Sequence, residues 1–513
     1  METQVLIIGG GVTGTGLARD LALRGVQSIL VEKGDLNAGA SGANHGLLHS
    51  GGRYVASDPG TAKECREEGE ILKRVASHCI ENTGGLFVAV EGDNENYVAD
   101  FPDLCSRCGI PVRELDPKEA SALEPALSPK LIAAYEVEDA SIDPFMLSVE
   151  NMDQAMRLGT TLLCHTKVVG FEISDKSIRT VQLKNTKTGK DIIVEAEQVV
   201  NAAGAWAGDV AALAGVSIDL LYSKGSLLIT DNRITTRVIN RLRPSSDGDI
   251  LAPGGTVSLL GTTSIRVDTP DGIRPTIEEI DNIIDQGAAA LPVLKKTRYI
   301  RAYSGVRPLI ASQSAGDDRS VSRGFALFDH VRDGLENFAT ITGGKLSTYR
   351  YMAEKTADLV CTRMGVAKPC VTRTEPIPSS ETSRWTEPGL APKEWIKKKD
   401  PEDLILCECE MVPKSVVNKI IASIHEQGDR ADLRAIGLRS RIGKGTCQGA
   451  FCGVRITAHM YDEDELHADE GLVNLRRFLN ERWKGIRPVL WNGSLMQEEL
   501  QEALHCGLFG LEL

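Results

Sequence analysis

Four cysteines, Cys407, Cys409, Cys447 and Cys452, are the residues of this chain best placed to do chemistry. They follow the pattern C-x-C, then 37 residues, then C-x4-C. Two close thiol pairs can close one metal site, and four thiolates hold either a structural zinc or an iron–sulfur cluster. In extended chain, residues two apart project to the same side, so Cys407 and Cys409 are expected to share one metal atom. The second pair lies in a glycine-laced run, Arg441 to Gly453, where backbone amides can crowd against sulfur. Only a cluster would move electrons, and ligand count alone leaves zinc open. Cys105 and Cys108 form a lone C-x-x-C with no second pair nearby, and read as packed or surface thiols.

A second concentration of chemistry opens the chain. Gln4 to Ile8 reads as a buried strand, followed by Gly9-x-Gly11-x-x-Gly14, an alanine- and leucine-rich helix over Leu17 to Arg24, and a second apolar run, Ser28 to Val31, that ends in Glu32. This is a dinucleotide-binding fingerprint: glycines for the turn and for close approach of a pyrophosphate, a helix N-terminus for its charge, an acid for a ribose hydroxyl. The fingerprint alone does not separate FAD from NAD. It is followed by Ala38 to Tyr54, small and polar, carrying Ser41, His45, His49, Arg53 and Tyr54. Such a segment can lie along an extended cofactor and deliver those side chains to its reactive end.

The elements that must position these groups follow from length and pattern. A chain of 513 residues predicts about three or four domains. With 42% apolar and 25% charged residues it reads as globular, and a net charge of −13 argues against a large nucleic-acid surface. No apolar run reaches the ~18 residues needed to span a bilayer. The start of the chain passes straight into a strand-like run with no secretory signature, so cytoplasmic residence and reduced thiols are expected. Short β-branched strands mix with helices to about Val371. A Pro-, Ser- and Lys-rich stretch, 376–403, reads as a linker between a first unit, 1–375, and the cysteine module, 404–456. Within that module, apolar spacing predicts a helix over Pro413 to His425, and the tail, 457–513, is expected to hold helices at Leu472 to Trp483 and Leu495 to Leu504.

Further motifs carry a resemblance. The fingerprint, His49-Ser-Gly-Gly-Arg53-Tyr54, the run from Val199 to Trp206, Tyr303-Ser-Gly-Val-Arg307-Pro-Leu309, and the run from Thr342 to Arg350 resemble FAD-dependent glycerol-3-phosphate dehydrogenases. The cysteine module resembles the bacterioferritin-associated-ferredoxin type of 2Fe-2S domain. Together, and with Phe478 to Gly485 and Gly507 to Glu512, they resemble the A subunits of the anaerobic branch of that family. The resemblance implies an α/β fold: a Rossmann-like FAD-binding domain interrupted by a mixed, β-rich substrate domain, plus a small helical cysteine-cluster domain. It implies oxidation of sn-glycerol 3-phosphate to dihydroxyacetone phosphate with FAD taking the hydride. It also implies a flavin-bearing partner and an iron–sulfur membrane anchor that pass electrons to menaquinone, and so a peripheral place on the cytoplasmic membrane face.

That reaction needs a hydride acceptor, a proton acceptor and a clamp for a phosphate dianion. The flavin supplies the first. His49 is the expected base, as imidazole titrates near neutrality. Arg53, Arg307 and Lys345 are the expected cations, with Tyr54 beside them, since Arg offers a bidentate fork and Lys a point charge. Lys345 is placed between a strand and a helix N-terminus, which favours negative charge. By the resemblance, Gly9, Gly11, Val12, Gly14, Glu32, Lys33, Ser41, His45, Val168, Gly204, Gly344, Lys345 and Leu346 hold FAD. Two other readings stay open: an FAD oxidase or dehydrogenase of a 2-hydroxy acid or amine, and a zinc-stabilised interaction module at the C-terminal end.

Overall fold

The computed structural model describes residues 1–310, 324–382, 391–426 and 428–513. Its first layer is a mostly parallel sheet. The strand Glu2–Ile8 lies between Ser28–Val31 and Asp191–Asn201, parallel to both. Thr161–Leu163 extends the sheet on one side, and Phe338–Gly343 pairs with Asp191–Asn201 on the other. These runs are rich in Val, Ile and Leu because the sheet is covered on both faces. On one face the helix Val12–Leu23 packs between the helices Pro144–Arg157 and Tyr349–Arg363, closing a core around Ile7, Leu17, Leu21, Leu30, Met352 and Val360. On the other, Leu6, Ile29, Val181, Val199 and Phe338 share a second core. The fingerprint helix begins at Val12, earlier than the apolar pattern suggested, because its first turn is glycine and threonine.

The second layer is a nine-stranded sheet assembled from two separate stretches of chain. Gly85–Val90, Arg113–Leu115 and Leu131–Val137 come from the first, and Leu220–Thr230 to Tyr299–Ile310 from the second. Their junction is the parallel pair Gly85–Val90 with Val238–Arg241. The long antiparallel pair Leu220–Thr230 and Tyr299–Ile310 forms the wall that faces the first layer. Contact is close: a Cβ at Gly305 would meet the Ala43 carbonyl oxygen at 2.5 Å, so the small-residue segment and this strand touch through backbone. Cys105 and Cys108 are buried beside Phe87, Phe101 and Tyr135 and belong to packing.

The cysteine module and the tail share one core. Leu406, Val417, Ile421, Leu433, Ile456, Leu475, Phe478, Leu479 and Leu511 are all buried in it. The expected helices are present as Lys414–Glu426, Glu470–Ile486 and Gly493–Phe509. The stretch read as a linker carries two short helices, Ser379–Thr382 and Ala391–Lys398, and residues 383–390 of it lie outside the described residues. One local expectation is corrected. The strand Ile405–Cys407 ends at the first cysteine, and Cys409 sits in the turn of a tight hairpin that returns at Val412–Pro413. The pair is brought to one side by this turn, with Met411 at φ +52°, not by an extended C-x-C.

Candidate functional site

The first strand ends in Gly9, whose φ is +120° and whose absent Cβ would meet the Ala202 carbonyl oxygen at 2.5 Å. Gly14 is fixed in the same way against the Gly9 carbonyl. Gly11 is the N-cap of the helix Val12–Leu23, and the Val12 N–H donates to Ser41 Oγ at 2.9 Å. The Glu32 carboxylate accepts the N–H groups of Gly10 and Gly34, each at 2.8 Å, and burial pushes its pKa up. Lys33 Nζ lies 3.7 Å from the centre of the Trp206 ring. With Val168 and Gly204, these groups line one part of a cavity of about 1180 Å³. Gly14 does not line it, but packs beneath.

The same cavity is lined by His45, His49, Arg53, Tyr54, Arg307, Gly344, Lys345 and Leu346. Side chains from three distant stretches of sequence thus meet in one place. Arg307 stands on the wall strand opposite Ser223 and beside Gly225, where any side chain would collide with its guanidinium. Its fork donates to Thr262 Oγ1 at 2.5 Å and to the Thr263 carbonyl at 3.3 Å. Arg53 donates to Asp249 at 3.1 Å and to Ser245 at 3.4 Å. Lys345 follows Gly343 and Gly344, both at positive φ, and its Nζ is 4.6 Å from the Tyr54 ring centre. The Tyr54 ring in turn lies 5.3 Å from that of His49.

Both histidines lie deep in the molecule while facing this cavity. Burial pushes His45 down to about 3, helped by Arg307 and Arg53, and pushes His49 down to about 3, helped by Lys345 and Arg53. They are therefore neutral at pH 7. His45 Nε2 and His49 Nδ1 have no hydrogen-bond partner in the protein, an arrangement that costs stability unless a ligand supplies one. The glycine floor, the helix N-terminus and these orphaned imidazoles fit an extended dinucleotide with a polar substrate at its far end. Sequence reasoning missed Asp249, which also takes Arg243 at 2.8 Å, and the Thr262–Thr263 anchor of Arg307. Nothing in their local sequence marks them; they matter through cross-strand position. Lys224 points away from the cavity to a buried pair with Glu279 at 2.8 Å.

The four cysteines converge. Cys409 and Cys447 are 3.5 Å apart at sulfur, Cys407 contacts both Cys409 and Cys452, and Cys452 contacts Cys447. Backbone amides of Glu410, Gly443, Gly449 and Phe451 point at the ring of sulfurs. Among the described residues, no group of three or more His, Cys, Asp or Glu side chains is arranged to hold a metal ion. The donor set itself, four sulfurs with amide hydrogen bonds, fits a thiolate-bound cluster. The module is clamped to the first layer by Arg439, which pairs with Asp35 at 2.7 Å with both side chains buried. Arg441 adds a bond to the Gly254 carbonyl and one to Glu410, and Lys444 Nζ lies 3.2 Å from the Phe145 ring centre.

A family model described as "DAO: FAD dependent oxidoreductase" matches residues 4–359. The A subunit of the anaerobic glycerol-3-phosphate dehydrogenase of Escherichia coli is 42% identical, covering 100% of this chain and 97% of that protein. The A1 subunit of the Haloferax volcanii enzyme is 38% identical over 98% of this chain and 90% of its own. The chain belongs to the FAD-dependent oxidoreductases and, within them, to the family of anaerobic glycerol-3-phosphate dehydrogenase A subunits. Its fold matches the X-ray structure of the glycerol-3-phosphate dehydrogenase from Bacillus halodurans complexed with FAD. The TM-score is 0.65 at 20% identity, covering 96% of each chain. Among the described residues, no helix is long and apolar enough to cross a membrane.

Proposed function

We propose that this protein oxidises sn-glycerol 3-phosphate to dihydroxyacetone phosphate. The observation that carries the reading is the meeting of Arg53, Arg307 and Lys345 with two neutral imidazoles in one cavity of a chain whose net charge is −13. Bound FAD would supply the hydride acceptor. Gly9, Gly11 and Val12 would hold its pyrophosphate on the helix N-terminus, with Gly14 supporting the turn from beneath, and Glu32 a ribose. Lys33 and Val168 would flank the adenosine end. Ser41, His45, Gly204, Gly344, Lys345 and Leu346 would hold the flavin end. Arg307, its fork steered by Thr262 and Thr263, would grip the phosphate, with Arg53 and Tyr54 at the rim. His49, neutral and short of a partner at Nδ1, would accept the alcohol proton. A bound phosphate dianion would raise its basicity by offsetting the neighbouring cations. Lys345, at a turn opening a helix, would stabilise negative charge as it develops on flavin or phosphate.

Cys407, Cys409, Cys447 and Cys452 would hold a 2Fe-2S cluster that relays electrons to partner subunits and, through them, to a quinone such as menaquinone. Domains would then run 1–375 for the oxidoreductase unit, 376–403 for a linker, 404–456 for the cluster domain and 457–513 for a helical tail packed on it. The protein would sit in the cytoplasm, peripheral to the membrane through a flavin-bearing partner and an iron–sulfur anchor. Anaerobic addition of glycerol 3-phosphate should bleach the bound flavin, while a 2-hydroxy acid or an amine should not; the reverse pattern would refute the substrate. Iron and sulfide should be present in the anaerobically purified protein. Stoichiometric zinc without sulfide would remove the relay and favour an interaction module.

A further inference from the structure

The last helix, Gly493–Phe509, is amphipathic in the inverted sense. It turns Ser494, Glu498 and His505 into the protein and leaves Met496, Leu500, Leu504 and Leu508 between 50% and 73% exposed. A spacing of four puts these residues in one ridge along the helix. Single exposed leucines are ordinary, but a ridge this long marks a surface meant to be covered. His505 Nε2 sits 3.2 Å from the carbonyl oxygen of Ala450, which lies between Cys447 and Cys452, so the helix is anchored to the cysteine loop itself. A hollow of about 380 Å³ between them is lined by Cys409, Cys447, Phe451, Gln497 and Gln501, and Phe451 is 61% exposed at its edge. Whatever covers the ridge therefore also covers the open side of the cysteine centre.

Charge selects the occupant. Beyond Arg487 the chain contains no Lys or Arg, and Glu499 and Glu502 stand on the same helix, while Arg298 reaches only its inner face, donating to Ser494 Oγ at 3.1 Å beside the buried Glu498. An anionic bilayer surface would be repelled. A second copy would bring the same acids face to face. Segments 311–323 and 383–390 of this chain are too polar in sequence to offer a matching apolar face. We propose that the ridge Met496, Leu500, Leu504 and Leu508 docks an electron-accepting protein through an apolar groove edged by Lys or Arg, with the helix laid in the groove. The ridge is independent of the proposed function; that its occupant accepts electrons rests on that function.

The test uses the full-length chain in its own organism, with a photoreactive phenylalanine analogue at Met496 or at Leu508. One and the same protein should cross-link from both positions and not from Ile277, which is exposed elsewhere. That protein, purified, should bind the flavin-loaded chain with an affinity that falls as salt is raised. The double variant Leu500→Glu, Leu504→Glu should weaken binding at least about 100-fold. Ile277→Glu should leave it unchanged, and flavin absorption should show that both variants are folded. Cross-linking to a second copy or to lipid, no cross-link at all, or unchanged binding by the double variant would overturn the proposal. Sulfide analysis of the same preparation separates the two readings: a sulfide-free centre with binding intact would overturn the electron-accepting part alone.

Discussion

Arg307→Lys is the substitution that probes the substrate clamp most finely, because it keeps the charge and removes the fork. In the structure the guanidinium is aimed by Thr262 and Thr263 and lies directly against the bare backbone of Gly225. A lysine can approach a phosphate as a point charge but cannot make two parallel bonds. One lost charge-assisted bond is worth about 1.5–3 kcal/mol. At 1.4 kcal/mol per tenfold, kcat/KM for glycerol 3-phosphate should fall about 10- to 150-fold. The assay is stopped-flow bleaching of the bound flavin under anaerobic conditions, run with glycerol 3-phosphate and with glycerol. Glycerol lacks the phosphate, so its slow rate should be little changed and the preference between the two should shrink by the same factor. Equal losses for both compounds would mean that Arg307 orders the cavity without touching phosphate. No loss for glycerol 3-phosphate would refute the clamp outright.

Other contacts yield three further expectations. Gly14→Val should yield protein without bound flavin, read from its visible spectrum, because the new side chain would strike the Gly9 carbonyl beneath the fingerprint turn. Arg439→Met should destabilise the chain by about 3–5 kcal/mol in denaturant titration, since it strands Asp35 as an unpaired buried charge. Reversing the loss with Asp35→Asn in the same chain would confirm the cause. In flavin-free protein, His45 and His49 are held near 3 against an ordinary value of 6.5. Between those values the unfolded chain binds more protons than the folded one. Their contribution is fully present above pH 6.5 and is lost as pH falls toward 3, at up to about 1.4 kcal/mol per pH unit for each ring. Between pH 6.5 and 5 the Tm should therefore fall less in His45→Gln than in the parent chain.

Much of this architecture could be read from local pattern, because local physics dictates it. Gly14 is set against the Gly9 carbonyl within one strand–turn–helix unit, and the apolar strand and helix runs around it are contiguous in sequence. The four cysteines are marked by type, and their pairs by spacing. What escaped reading depends on distant partners. Asp249 shares Arg53 across nearly two hundred residues, and Asp35 meets Arg439 across four hundred. The second sheet draws strands from two stretches inserted between strands of the first, so no contiguous run announces it. Cys409 was misplaced because an extended C-x-C and a hairpin turn bring the same two sulfurs together, and only backbone geometry tells them apart. The inverted face of the last helix was equally hidden, since its apolar spacing reads the same whether it faces core or solvent.

If substrate, flavin and cysteine centre form one path, electrons from glycerol 3-phosphate must reach the sulfurs. Anaerobic titration of the purified protein with that compound tests this, with flavin absorption and the electron paramagnetic resonance signal of the reduced cluster followed together. The flavin should bleach and the cluster signal should grow with it. The signal should vanish in Cys407→Ser while bleaching persists. No bleaching, or full bleaching in an iron- and sulfide-loaded protein whose cluster signal never appears, would contradict the path.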